Sequence, residues 1–286
     1  MKELIKQIRS HAQVSQQELA DRLGVTFASV NRWENGHSFP NRLAQMKLYE
    51  LCQEKNIPLA DMIKTKIASI AKGLERGEER LILYHGSKSG IVGDIAPLSR
   101  EKCDFGKGFY MGTEAEQPLT LICDYERSVF YIMSVDLSDL KVHTVPPDLE
   151  WAMLAAYYRG KMEKIRGSRL YNKYAGMLRD CDVAVGSIAD DRMFYVLDNF
   201  FLGNITDAAL VNSLSALQLG QQYVCLTQKA CDHVRIEKEI PLSDLERQCL
   251  RDVSEKSRER GVTLANQICK EHRREGRFFD EILDEV

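Results

Sequence analysis

Two short stretches hold residue types from which chemistry is built. His85-Gly86-Ser87 stands at the end of the apolar run Leu81-Ile82-Leu83-Tyr84, the way a buried strand delivers polar groups to a sheet edge or cleft. Further on, Asp104-Phe105-Gly106-Lys107-Gly108-Phe109-Tyr110-Met111 sets an aromatic pair behind paired glycines. An imidazole can donate and accept hydrogen bonds near neutral pH, a phenol presents a flat ring with a polar tip, and glycines let backbone approach a ligand closely. Gly106 and Gly108 open like a dinucleotide fingerprint, but Met111 occupies the place of its third glycine and a polar loop precedes it. No phosphate loop of the form Gly-x-x-x-x-Gly-Lys-Ser/Thr occurs.

These groups need a sheet to hold them. Apolar runs predict strands at Leu81–Tyr84, Val129–Asp136, Asp182–Gly186 and Gln222–Thr227. Helical spacing predicts a helix from Thr113, where Pro118 leaves the start open, an amphipathic stretch around Leu149–Met162 and a helix over Ile205–Leu217. Strands separated by helices in mixed order indicate an α+β domain over residues 80–238 rather than a regular βαβ repeat. The loop Ala189-Asp190-Asp191-Arg192 is either a solvated turn or a substrate-positioning loop, and Glu114 and Glu116 are spare carboxylates that fit helix capping better. Gly73 and Gly77 among charges mark a linker over 67–79. Residues 239–286 form a helical extension, started by the capping box Ser243-Asp244-Leu245-Glu246, that packs on the body or joins two copies.

Residues 1–66 read as an all-helical module. Leu4, Ile5 and Ile8 share a face, Ser15-Gln16-Gln17-Glu18 is a capping box, Gly24 is a turn, and Thr26 caps a helix carrying Val30 and Trp33 to Asn35-Gly36. Two short helices joined by a glycine turn have helix-turn-helix spacing. The stretch from Ser15 to Gly36, with its Leu19-Ala20 pair, Leu23-Gly24 turn and closing Trp33-Glu34-Asn35-Gly36, closely resembles the Cro/Xre repressor family. That resemblance puts Gln16 and Gln17 at the DNA backbone or a base edge, and Phe27, Ala28, Asn31 and Arg32 in the major groove. It also implies a possible homodimer on DNA.

Composition agrees with this division. Apolar residues at 44% and charged residues at 28% describe a folded globular chain. Residues 1–66 carry ten Lys/Arg against seven Asp/Glu, a balance of +3 that leaves −6 for the rest of a chain of net charge −3. Nucleic-acid contact is therefore expected at the N-terminal module. The start Met-Lys-Glu-Leu-Ile-Lys is polar within a few positions and no apolar run approaches a membrane span, so a cytoplasmic protein without membrane contact is expected. The eight cysteines (52, 103, 123, 181, 225, 231, 249, 269) include no Cys-x-x-Cys; reduced, packed thiols and no metal are expected.

Tyr84-His85-Gly86-Ser87 followed by Phe105-Gly-Lys-Gly-Phe-Tyr110 resembles the first two catalytic motifs of the ADP-ribosyltransferases of the diphtheria-toxin and poly-ADP-ribose-polymerase branch. Residues 80–236 are similar to a bacterial domain family of uncharacterised function related to that branch. The resemblance implies NAD as substrate and no metal. It makes His85, Tyr110 and Gln222 catalytic, and adds Gly86, Ser87, Gly106, Lys107 and Gly108 to the cofactor-binding set. His85 then binds a ribose, the Gly86 backbone holds the carboxamide with Ser87 as an extra donor, and Tyr110 stacks on nicotinamide, so that imidazole and phenol converge on one pyridine ring. The chain departs from the branch twice: Gln222 stands where a strand glutamate belongs, and Leu121 where a second stacking tyrosine often stands. Glutamine can hold a hydroxyl but cannot take its proton. The implied function is mono-ADP-ribosyl transfer to a protein or nucleic-acid acceptor, coupled to DNA binding in a toxin, defence or regulatory role. The alternative is a transcriptional regulator whose silent domain senses NAD or ADP-ribose.

Overall fold

Leucine and isoleucine at helical spacing, cut by polar caps, build the first five helices of the structure, a computed structural model that describes residues 1–74, 80–188, 191–217 and 220–284. Helix α1 (Lys2–Ala12) buries Leu4, Ile5 and Ile8. In α2 (Gln16–Leu23) the capping box forms as its sequence requires: the Ser15 side chain accepts from the Glu18 amide, and the Glu18 carboxylate accepts from the Ser15 amide. Gly24, at φ 68°, turns the chain into α3 (Phe27–Glu34), capped by Thr26 and seated through Val30 and Trp33. Helices α4 (Arg42–Glu54) and α5 (Leu59–Leu74) complete the module. The boundary expected at residue 66 is corrected: Ile63, Ile67 and Ala71 continue one buried stripe, so α5 runs through Leu74 and the first part of the expected linker is helix. Its remainder, 75–79, lies outside the described residues.

The rest of the chain builds one seven-stranded sheet. In chain order come β1 (Leu81–Ser87), β2 (Phe109–Gly112), α6 (Glu116–Ile122), β3 (Val129–Val135), β4 (Val142–Thr144), α7 (Leu149–Tyr158), α8 (Arg169–Met177), β5 (Val183–Ser187), α9 (Asp191–Phe201), α10 (Asp207–Leu217), β6 (Gln221–Cys225), α11 (Gln228–Asp232), β7 (Val234–Pro241), α12 (Asp244–Glu271) and α13 (Phe279–Asp284). The strand order is β4-β5-β6-β2-β1-β3-β7, with β4 and β5 parallel and every other neighbour antiparallel. The sequence predicts no strand at β2, β4 or β7. The first two have four and three residues, and β7 is an edge strand exposed from Arg235 through Glu239 between buried Val234 and Ile240. The extension expected from residue 239 therefore begins inside a strand.

Alternation along the strands divides the core. Leu83, Phe109, Met111, Tyr131, Met133 and Val185 face one side, covered by α11 and by loop residues such as Ile91 and Leu140. The opposite face is covered in two blocks. Over β1 and β3, Tyr84, Phe130 and Ile132 pack with α6, α12 and the core of the N-terminal module. Over β5 and β6, Ala184 and Val224 pack with α7, α9, α10 and α13. The stretch around 149–162 is not amphipathic, because α7 lies inside this second block with every residue from Trp151 to Ala156 buried. The two blocks part over β2.

Helix α12 joins everything. Leu245, Cys249 and Leu250 lie in the same cluster as Leu48 and Ile63, while Ala265 lies in the block over β5 and β6. Polar contacts fix the register of this docking: Gln45 Oε1 accepts from the Leu245 amide at 3.1 Å, Lys66 pairs with Glu246 at 3.2 Å, and the Tyr49 hydroxyl donates to Asp252. Truncating a buried leucine leaves a cavity, so Leu250→Ala should cost about 2–5 kcal/mol. Because the core is shared, far-ultraviolet and tryptophan signals in urea should shift together; a helix-turn-helix signal melting apart from the sheet would contradict it.

Candidate functional site

Neighbouring strands of this sheet pair along most of their length, except at one seam. β1 registers with β3 over seven pairs, from Leu81↔Val135 to Ser87↔Val129, and β2 registers with β6 over four. Between β1 and β2 there is one pair, Tyr84↔Gly112. Beyond it, the His85 side chain spans the gap: Nδ1 lies 2.7 Å from the Tyr110 carbonyl oxygen. A carbonyl can only accept, so Nδ1 carries the hydrogen and the neutral ring keeps an acceptor lone pair at Nε2. Burial holds the imidazole below its ordinary pKa, against the opposing pull of the Tyr110 carbonyl. The ring stacks on Phe109, with centroids 4.6 Å apart and planes at 27°.

The expected convergence of the two rings is corrected by the same alternation. His85 leaves β1 on the Phe109 and Tyr131 side, whereas Tyr110 leaves β2 on the opposite face, against the block over β5 and β6. The phenol closes its own loop instead: its hydroxyl donates to the Gly106 carbonyl at 2.7 Å and accepts from the Phe105 amide at 3.2 Å. Burial pushes its pKa up, so it stays a donor. Ser87 is not an uncommitted donor, because its hydroxyl donates to the Gly90 carbonyl at 2.9 Å.

The glycines are needed for packing within the chain. A Cβ on Gly106, which sits at φ +72°, would lie 2.6 Å from the Tyr158 ring. On Gly108 it would lie 2.5 Å from Val224 Cγ1, and on Gly86 2.6 Å from the Pro118 carbonyl oxygen. These clearances are filled by α7, β6 and α6 and are not open to a ligand. Lys107 is exposed at the loop tip. Leu121, 56% exposed on α6, supplies no second stacking ring.

Gln222 lies on the Tyr110 face and registers with Gly112 on one side and Gly186 on the other. Its Nε2 donates to the Ser187 carbonyl at 2.7 Å and to Asp104 Oδ2 at 3.3 Å. Asp104 Oδ1 takes both Nε and Nη2 of Arg159, at 2.9 and 2.5 Å, and that ion pair is nearly out of solvent, each side chain 8% exposed. The sequence motif opens on Asp104 but assigns it no role, and nothing in the sequence points to Arg159. The two lie 55 residues apart with many charged residues between them, so only the fold brings them together. Glu116 pairs with Lys64 of α5, and Glu114 is exposed beside Gly220. In the loop expected at 189–192, Ala189 and Asp190 lie outside the described residues, while Asp191 and Arg192 open α9.

In the N-terminal module, Phe27 (47% exposed), Ala28 and Arg32 stand on the open face of α3. Gln16 does not point free toward DNA. Its Nε2 donates to Glu34 at 2.6 Å and its Oε1 accepts from Asn31 at 3.3 Å. Burial would raise the Glu34 carboxyl, yet the bonds from Arg9 and Gln16 outweigh it and leave its pKa lowered. Gln16, Glu34 and Arg9 thus lock α1, α2 and α3 at one angle. Gln17 is exposed and donates to Asp21. Arg32→Ala should weaken specific DNA binding by about 1–3 kcal/mol and relax one base position. A binding-site selection with unchanged preference would refute that role.

For His85 the pH sign follows from burial. The unfolded imidazole protonates near about 6.5, before the folded one, so its contribution to stability is complete above that pH and is lost as the solution becomes more acidic. Urea melts at stepped pH should show a steeper acid loss for wild type than for His85→Gln; equal slopes would contradict a buried neutral ring.

No helix among the described residues is long and apolar enough to cross a membrane, and all eight cysteines are free thiols, five of them buried. Residues 5–53 match the helix-turn-helix family, and residues 81–236 match a family described as protein of unknown function (DUF3990). No curated protein and no solved structure matches the chain. With the seam and the polar network around Gln222 inside a match that covers more than half of its length, the chain belongs to the DUF3990 family and carries a helix-turn-helix DNA-binding module ahead of that domain.

Proposed function

We propose that the sheet domain is an NAD-dependent mono-ADP-ribosyltransferase directed or regulated by its DNA-binding module, which acts as a pair of copies on DNA. The observation that carries this reading is the seam, where one strand pair gives way to a side-chain bridge. A nicotinamide carboxamide is a planar group with one donor and one acceptor edge, the shape that a free strand edge accepts. Gln222 Oε1, to which no described residue bonds, is the acceptor for a ribose hydroxyl, and His85 serves from the other face by bridging the seam. In the reaction the C1′–N bond breaks and nicotinamide leaves with the electron pair. An acceptor nucleophile then bonds C1′ and releases its proton to solvent. Acceptors that strengthen as positive charge grows on the ribose stabilise that state. Tyr110 serves by holding the 105–110 loop closed rather than by stacking opposite His85.

A second reading has its own observation. Gln222 uses both amide hydrogens on Ser187 and Asp104 and offers no base, which suits a regulator that binds NAD or ADP-ribose without turnover.

Incubation with labelled NAD separates the two. For the transferase, nicotinamide release should fall by roughly tenfold or more in His85→Ala and Gln222→Ala alike. Calorimetric NAD binding without release selects the regulator, and no binding refutes both.

A further inference from the structure

The geometry points to Asp104 as the residue that supplies, through Gln222, the negative charge the active strand itself lacks. This deepens the transferase reading and rests on it. The carboxylate divides its two oxygens: Oδ1 is held by Nε and Nη2 of Arg159, and Oδ2 faces Gln222 Nε2 at 3.3 Å. An amide whose N–H donates to a carboxylate shifts electron density onto its own carbonyl oxygen, and such polarisation is stronger out of water. Gln222 is 8% exposed and Asp104 7%. Its amide cannot turn over without losing both Ser187 and Asp104 as acceptors, so Oε1 is the atom left for a ligand.

Arg159 fixes where the carboxylate stands. It follows directly on α7, whose last residue, Tyr158, fills the space beside Gly106, and its guanidinium lies over the Phe194 ring at 4.4 Å. Phe105, next to Asp104, packs against Gly186, the register partner of Gln222. The motif loop is thereby pinned at both ends around the strand glutamine. Asp104 is a positioning residue: it touches no substrate and acts by making Oε1 a stronger acceptor for the ribose hydroxyl as charge develops. No proton moves onto Asp104 or Gln222 in this scheme, and the hydrolysis used as a readout balances as NAD plus water giving ADP-ribose, nicotinamide and a proton.

The test measures nicotinamide release and NAD binding on the full-length chain. Asp104→Asn keeps the shape and removes the charge; kcat should fall roughly tenfold or more with KM for NAD little changed. Moving the carboxylate one contact along, in Asp104→Asn combined with Gln222→Glu, should restore kcat to at least the wild-type level and add an acid limb to its pH profile. Should Asp104→Asn fail to fold, Gln222→Glu alone decides. Two carboxylates across that contact cannot both ionise freely, so its rate should fall along a limb displaced above the ordinary glutamate range. An unchanged kcat in folded Asp104→Asn, no recovery in the double variant, or an undisplaced limb in Gln222→Glu overturns this inference while leaving NAD cleavage by the wild type standing. A wild type that does not cleave NAD overturns the transferase reading and this inference with it.

Discussion

A sheet tolerates an unpaired carbonyl in its interior only if something else donates to it. Between β1 and β2 that donor is the His85 ring, and much else follows from this substitution of a side chain for a backbone amide. It holds two half-sheets together past their single pair and fixes one tautomer. The imidazole is stacked on Phe109 and kept neutral by burial, so the bridge persists at neutral pH.

Around that seam the molecule uses the same economy repeatedly: glycines where another element must approach, and one buried polar network where charge is unavoidable. Gly86 admits α6, Gly106 admits Tyr158, and Gly108 admits β6. Asp104 is tolerated in the interior because Arg159 and Gln222 saturate it. On the other side of the fold, Glu34 is tolerated because Arg9 and Gln16 reach it.

What could be read from the sequence followed period and punctuation. The helices of the N-terminal module announced themselves through capping serine and threonine, a glycine turn and a buried apolar stripe, and four of the strands were apolar runs. What escaped were elements without such marks. Half of β7 is charged because it is an edge, and α7 was expected with a polar face that it lacks from Trp151 to Ala156 because it lies inside a block of helices. His85 and Tyr110 stood out by type and position and Gln222 by the family resemblance; His85 bridges the seam to the Tyr110 carbonyl, and Gln222 lies one strand away on β6. Their directions were not legible, because a motif names residues whereas strand parity decides which face each one takes. The bonds of Gln16 were not legible either, since a glutamine offered to DNA and one offered to a buried glutamate look alike in one dimension.

The 28 residues of α12 make a rod about 42 Å long, with its first turns in the core of the DNA-reading helices and its last turns against the helices over β5 and β6. Such a rod works as a ruler. A duplex gripped by α3 would lie at a set offset and angle from the seam between the half-sheets.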